Sequence, residues 1–267
     1  MNINNASLQR LLNLTKRPQV VAGKPQDQVL ATILRFENDS CTTTSLVRDG
    51  KTSLSHFRVP AHGSGQIPIP DIDRLLGVLK FHGSSVTLSL DGSKLRIKSG
   101  SKQTTLLSDL GGLAFPHSTD TIGEWEGKSV QLSEQIDPKG SYTLRSGDKR
   151  EAMLSWTVDA TELFEALRCD TMNGQKLNRY TFSLGEGKIT LSVGDELKGH
   201  TTTEWENEET DFPVIEVVFE GGLDSVLKEM TGNIDLHFID FRAEEQGIRL
   251  IIDCGGSGWI FQASLLR

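Results

Sequence analysis

Apolar residues along the chain follow two periods in turn. Ile72, Leu75, Leu76 and Leu79 fall at i, i+3, i+4 and i+7, the spacing of one helix face. Asp71, after Pro70, is the expected N-cap, and Gly83 the expected stop. From Val86 the period becomes two. Val86, Leu88 and Leu90 point one way and Thr87 and Ser89 the other. Asp91-Gly92 predicts a hairpin turn, after which Leu95 and Ile97 face inward and Lys94, Arg96 and Lys98 outward. A further strand is expected over 103–107. This is one helix followed by three strands.

The same module recurs on both sides. Leu8, Leu11, Leu12 and Leu14 mark a short helix over 6–14, followed by strands over 29–36, 41–47 and 52–59. A strand over 153–158 leads to a helix capped by Asp159, with Leu163, Phe164 and Leu167 on its apolar face and Glu162 placed as in a capping box. Strands over 180–184, 189–193 and 200–205 follow. A strand over 214–219 precedes a helix over 223–230 closed by Gly232, then strands over 234–238, 248–252 and 259–265. Residues 86–100 and 180–194 align without gaps, sharing Thr, Ser, Leu, Gly and Lys in step. Four such units in two pairs predict an α+β protein of two similar domains, each with two helices on one face of antiparallel sheet. The boundaries expected are 1–113 and 151–267. The Gly- and Pro-punctuated stretch 114–150 between them reads as a connector, with short extended pieces near 130–132 and 142–144.

Composition changes this picture little. The 267 residues carry 36% hydrophobic side chains and 26 glycines, as a turn-rich globular protein does. The apolar runs are too short for a bilayer span, and the start, MNINNASLQRLL, lacks the cationic opening and long apolar core of a signal peptide. Cys41, Cys169 and Cys254 are far apart and odd in number, which favours idle thiols in a reducing cytoplasm. Charge is informative through its unevenness. Residues 1–115 hold 14 Lys and Arg against 8 Asp and Glu, whereas residues 116–267 hold 14 against 28. An acidic chain with net charge −8 thus still has a basic half.

Chemical motifs are absent. There is no GxGxxG opening a helix after a strand, no GxxxxGK[ST], no GxSxG and no HExxH. The six histidines show no ligand spacing with one another or with cysteine. Asp71 and Asp73 read as helix-start residues rather than a catalytic pair, and Gly255-Gly256-Ser257-Gly258 as a hairpin loop between strands. No cofactor or metal is called for.

The organisation resembles the DNA polymerase sliding clamps of the proliferating cell nuclear antigen type and their T-even phage relatives. The run DIDRLLGVLKF…VTLSLDGSKLRIKSGSKQTTLL, from Asp71 to Leu107, is similar to a clamp's second helix and following strands. GWIFQASLLR is similar to the closing strand and tail. The resemblance implies a non-enzymatic ring, a homotrimer of two-domain chains, that encircles double-stranded DNA without reading sequence. It would tether a replicative DNA polymerase for processivity, be opened by a clamp loader, touch no membrane, and act in the cytoplasm of a prokaryotic or virus-infected cell at the site of replication. The helices would line the hole. Their basic residues are Arg10, Lys16 and Arg17 on the first, Arg74 and Lys80 on the second, Arg168 and Lys176 on or after the third, and Lys228 on the fourth. Acidic neighbours on the last two helices make that lining basic mainly in the first domain. Ring closure would pair an edge strand, Gln103, Thr104, Thr105, Leu106 and Leu107, with His200, Thr201, Thr202, Thr203, Glu204 and Trp205 of the next subunit. A groove for partner peptides would draw on Leu46, Val47, Pro213, Leu265 and Leu266. Two other readings stand beside this one. The chain could be a clamp-like subunit of a heteromeric repair or transcription ring, or a metal-dependent hydrolase built on the acidic second domain.

Overall fold

The computed structural model describes residues 1–16, 19–21, 24–26, 32–47, 53–108, 131–172, 179–195, 199–220, 223–244 and 247–264. Four β-α-β-β-β units follow one another. The first comprises β1 (Asn2–Asn4), α1 (Asn5–Thr15), a small hairpin of β2 (Gln19–Val21) and β3 (Lys24–Gln26), then β4 (Thr32–Glu37), β5 (Ser40–Val47) and β6 (Ser53–His62). The second is β7 (Gly65–Ile69), α2 (Ile72–Leu79), β8 (Ser85–Asp91), β9 (Lys94–Ser99) and β10 (Lys102–Leu107). A small sheet of β11 (Ile136–Asp137), β12 (Ser141–Thr143) and β13 (Lys149–Glu151) intervenes. The third unit is β14 (Leu154–Asp159), α3 (Ala160–Met172), β15 (Arg179–Gly185), β16 (Lys188–Asp195) and β17 (Gly199–Glu206). The fourth is β18 (Ile215–Glu220), α4 (Leu223–Leu227), β19 (Asn233–Asp240), β20 (Ile248–Asp253) and β21 (Gly258–Ala263).

The strands expected in front of the third and fourth helices are present, the first two helices have one as well, and these leading strands cross over. β1 pairs with β8 of the second unit, and β7 pairs with β4 of the first. The second domain repeats the exchange, with β14 on β19 and β18 on β15. Each domain is thus two interlocked units. The domains join where β6 meets β21 in antiparallel register, Phe57 opposite Gly258 and Ser53 opposite Gln262. Gly258 sits at φ +135°, and a Cβ there would run into the His56 carbonyl, so only glycine lets the two strands approach.

The helices form one row, α2 against α1, α1 against α4, and α4 against α3. α2 buries Ile72, Leu75 and Leu79, as its spacing requires. Asp71 Oδ1 accepts from Arg74 N at 2.8 Å, the expected cap. The helix stops at Leu79, four residues before Gly83, whose N–H instead donates to Ser99 Oγ at 2.8 Å. The carbonyls at and just past its end are gathered from the start of α1. Buried Asn5 places Nδ2 2.9 Å from the Leu79 and Gly83 oxygens and 3.2 Å from that of His82. Asp159 Oδ1 caps α3 through Thr161 N and Glu162 N. Glu162 does not complete a capping box; its Oε1 accepts from Trp205 Nε1 at 2.6 Å on β17.

One apolar core runs under both domains, between the helix row and the sheets. In the β8–β9 hairpin Leu95 and Ile97 are buried and Lys94, Arg96 and Lys98 exposed, as expected. Leu90 departs from expectation and is 40% exposed, because it lies at the turn beyond the reach of the helices. The tips of the aligned hairpins correspond: Gly92 and Glu186 both take left-handed φ, 58° and 53°.

A second core lies on the opposite face of the joining sheet. Strands β19 to β21 read as nearly continuous apolar runs because both faces are covered. Leu54, Ile239, Phe241, Ile251, Trp259 and Phe261 cluster there with Ile136 and Tyr142 from the small sheet. The described part of the expected connector folds into a cap, with β12 where an extended piece was expected near 142–144. Tyr142 stacks on Phe261 at 5.7 Å, and the Arg249 guanidinium lies 4.4 Å from the Tyr142 ring centroid. Lys139 Nζ donates to buried Asp253 at 2.7 Å, and Arg150 pairs with Glu244. Gly140 roofs the His237 ring, leaving no room for a Cβ.

Candidate nucleic-acid interface and open edges

The helix row is the candidate DNA-facing surface, and the structure divides the basic residues expected on it. Arg74, Lys80 and Lys228 are exposed. Lys80 closes the C-terminal end of α2, where a cation meets the negative end of the helix dipole. Arg10 and Lys16 are engaged elsewhere. Arg10 Nε donates to Glu229 O at 3.2 Å, and its Nη2 reaches Ser257 Oγ at 3.4 Å, so it pins α1 to the far domain. Lys16 Nζ pairs with Asp73 at 2.6 Å across α1 and α2. Arg168 is exposed on α3 beside Glu165, 3.5 Å away. Arg17 and Lys176 lie outside the described residues. Acidic Asp73, Glu162 and Glu165 share the row, so the surface is thinly basic.

The last strands of the four units meet different fates. Those of the first and fourth, β6 and β21, pair with each other. Those of the second and third, β10 and β17, are bound on one side only, by β9 and β16, among the described residues. These are the two strands expected to close a ring. Gln103, Thr105 and Leu107 are exposed, while Leu106 is buried and Thr104 half-buried, its Oγ1 3.0 Å from His82 Nε2. On β17, His200, Thr202 and Glu204 are exposed, and Thr201, Thr203 and Trp205 half-buried. The rows α2 to α3 and β10 to β17 thus end at the same two flanks.

Phe81, just past α2, was given no role by its spacing, which falls off the apolar face of the helix. It is 75% exposed, and its carbonyl accepts from Lys102 Nζ at 3.1 Å at the start of β10. An aromatic residue directly after a helix end, outside the periodic set, is the signal that marks it.

Of the residues expected to form the peptide groove, only Pro213 has a described side chain. Leu46 and Val47 end β5 opposite Leu54 and Ser53. Pro213 is exposed beside the β15–β16 turn, where Glu186 N donates to Phe212 O at 3.0 Å. Leu265 and Leu266 lie outside the described residues. Burial pushes the Cys41 thiol up to about 12, which makes it inert. No group of three or more His, Cys, Asp or Glu could hold a metal among the described residues, and no helix there is long and apolar enough to cross a membrane.

Two interlocked β-α-β-β-β pairs, a helix row on one side and sheet on the other define the DNA polymerase sliding-clamp fold, and the chain has that fold. Among solved structures, it superposes on DNA polymerase III subunit beta from Pseudomonas aeruginosa with a TM-score of 0.63 at 14% identity, covering 99% of this chain and 64% of that one. The DNA polymerase sliding clamp from Caulobacter crescentus gives 0.64 at 15% identity, covering 99% and 65%. DNA polymerase III beta subunit from Thermotoga maritima gives 0.59 at 14%, covering 98% and 63%. The chain therefore spans less than two thirds of the length of these proteins. No family model and no curated protein matches the sequence.

Proposed function

We propose that the chain is a sliding clamp, which encircles duplex DNA as a closed ring and tethers a replicative polymerase to it. The observation that carries this reading is the continuous helix row that ends at two open strands, beside a β6·β21 junction already made between open strands of the same kind. Three copies joined through β10 and β17 give the ring that two-domain clamps imply. DNA then meets Arg74, Lys80, Lys228 and Arg168 through phosphates alone, which suits sliding because such contacts are weak and exchangeable. A loader opens the ring by its own ATP-dependent step, since the sequence carries no nucleotide motif.

Native mass checks the ring: three copies of 29.4 kDa are expected, and a monomer at micromolar concentration sinks the reading. Polymerase processivity on a primed circle, with a competent loader, checks the role. Arg74→Ala with Lys80→Ala is expected to weaken DNA association uniformly across sequences and to lower the slope of log K against log salt by about one unit per cation and copy.

A further inference from the structure

A cleft of about 340 Å³ opens on the outer face of the first domain's sheet, lined by the 37–40 turn, by Thr42 of β5, by His56 and Arg58 of β6, and by Gly256 of the far domain. Strand alternation places it there. Phe57 and Val59 turn into the core under the helices, so His56 and Arg58 turn outward. Thr42 lies opposite Arg58 on one side and Arg35 on the other, so two arginines flank one threonine on that face.

Three groups able to donate line this cleft without a protein partner among the described residues. Arg58 Nε donates to Gly256 O at 3.0 Å, which fixes the planar fork and leaves its terminal nitrogens open. His56 Nδ1 lies 3.2 Å from Thr44 Oγ1, and the ring stacks on Trp259. With Nδ1 accepting from Thr44, Nε2 is the nitrogen left to donate. Thr42 Oγ1 is the third. The acids nearby are already matched: Asp39 Oδ1 pairs with His62 at 3.0 Å, and Glu37 acts on Arg35. Burial, then Arg35 and Arg58, hold His56 below the ordinary imidazole value, and neither acid offsets them. The field at the floor of the cleft is positive.

We propose that this cleft binds the phosphate group of a small phosphate ester. A guanidinium fork matches two phosphate oxygens, and Thr42 and His56 supply further donors. A phosphate offers three terminal oxygens to these three groups, where a carboxylate offers two. The volume is at the low end of ligand pockets, about 300–1,000 Å³, which suits a phosphate carrying one compact body such as a sugar. Because Gly256 comes from the far domain, the occupant bridges the two domains at their seam. The proposal needs one chain and no ring.

Calorimetric titration of the full chain with ribose 5-phosphate, inorganic phosphate and ribose, at fixed ionic strength, tests it. Ribose 5-phosphate is expected to bind saturably, inorganic phosphate more weakly, and ribose not at all. The nuclear magnetic resonance signals of the His56 ring should move along the same curve. Arg58→Gln is expected to weaken binding about tenfold or more, and Thr42→Val by less. Glu37→Gln, which frees Arg35 from its acid, is expected to tighten binding, a gain that no failure of folding imitates. Circular dichroism confirms that each variant folds. Ribose 5-phosphate binding that is absent, no tighter than that of inorganic phosphate, or indifferent to Arg58→Gln overturns the proposal. A processive clamp that binds none of the probes overturns it alone. A chain that binds the ester as expected and brings a polymerase no processivity supports it and sinks the clamp reading.

Discussion

The junction inside the chain and the edges at its two ends use the same device, one strand laid beside another, with different permanence. At β6·β21 the ladder is sandwiched. His56 stacks on Trp259 at 5.8 Å, Arg58 Nε donates to Gly256 O at 3.0 Å, Arg10 grips the far domain from the helix side, and the cap seals the outer side with Tyr142 and Ile136. Among the described residues β17 has a helix layer, with Trp205 against Trp156 at 4.9 Å, but neither β10 nor β17 has a cap on its outer side or a partner strand on its open side. A ladder hydrogen bond exchanged with water contributes only about 0.5–1.5 kcal/mol, whereas each large apolar side chain buried contributes about 1.5–3 kcal/mol. What makes one junction permanent is therefore the material above and below the strands. In the proposed ring, opening would fall between copies and not within one.

The comparison breaks most completely at Gly258. Gly258→Ala forces the β6 and β21 backbones apart and strains φ, with an expected loss on the order of 4 kcal/mol in urea denaturation. An unchanged midpoint would mean the strands can move apart freely. Tyr142→Ala strips the cap of its ring and should cost about 3 kcal/mol. Hydrogen exchange should then quicken at 53–57 and 258–262 while β9 and β16 stay protected. Equal quickening everywhere would deny the cap a local role. Asn5→Ala removes the amide that gathers the Leu79, His82 and Gly83 carbonyls around Phe81 and should cost about 2 kcal/mol, together with weaker assembly through β10.

Acid sharpens the comparison most gently. Burial, then the Arg35 and Arg58 cations, hold His56 below the ordinary imidazole value, and burial, reinforced by Lys139 and opposed by Asp235, Asp253 and Asp137, does the same for His237. Both bind protons less readily in the fold than when unfolded. Their contribution is present above the unfolded value of 6.5 and is lost as pH falls from there toward each lowered value. The slope is at most about 1.4 kcal/mol per pH unit for each histidine. Denaturation at pH 7.5 and 5.5 reads it, and His237→Gln should flatten the difference.

Much of this was legible in the chain. α2 declared itself because Ile72, Leu75 and Leu79 lie on one stripe against a flat sheet, and the β8–β9 and β15–β16 hairpins because the period-two rule is local. The strand exchange was not, since the pairing of Ile3 with Val86 lies far along the chain and Asn2–Asn4 offers a single apolar residue. The cap was hidden because Ile136 and Tyr142 are scattered among turn residues with no period to join them. On the helix row, Arg10 shows a charge but not that its partners are Glu229 and Ser257, which only folding brings near. The strands of the open edges were plainly readable. What they needed was the topology that sets them at opposite ends.

The exchanged leading strands also set an order of events. The strand that β1 needs, β8, lies some eighty residues further along the chain, and β6 must wait far longer for β21. Neither unit of a domain can close by itself. Each domain therefore matures as a whole, through long-range contacts of the kind that slow folding. During that wait β6, later the most securely covered strand in the molecule, stands as open as β10 and β17 do in the finished chain. The cap is made midway but finds its seat only when the final hairpin emerges, and that hairpin converts a vulnerable nascent edge into the fixed seam.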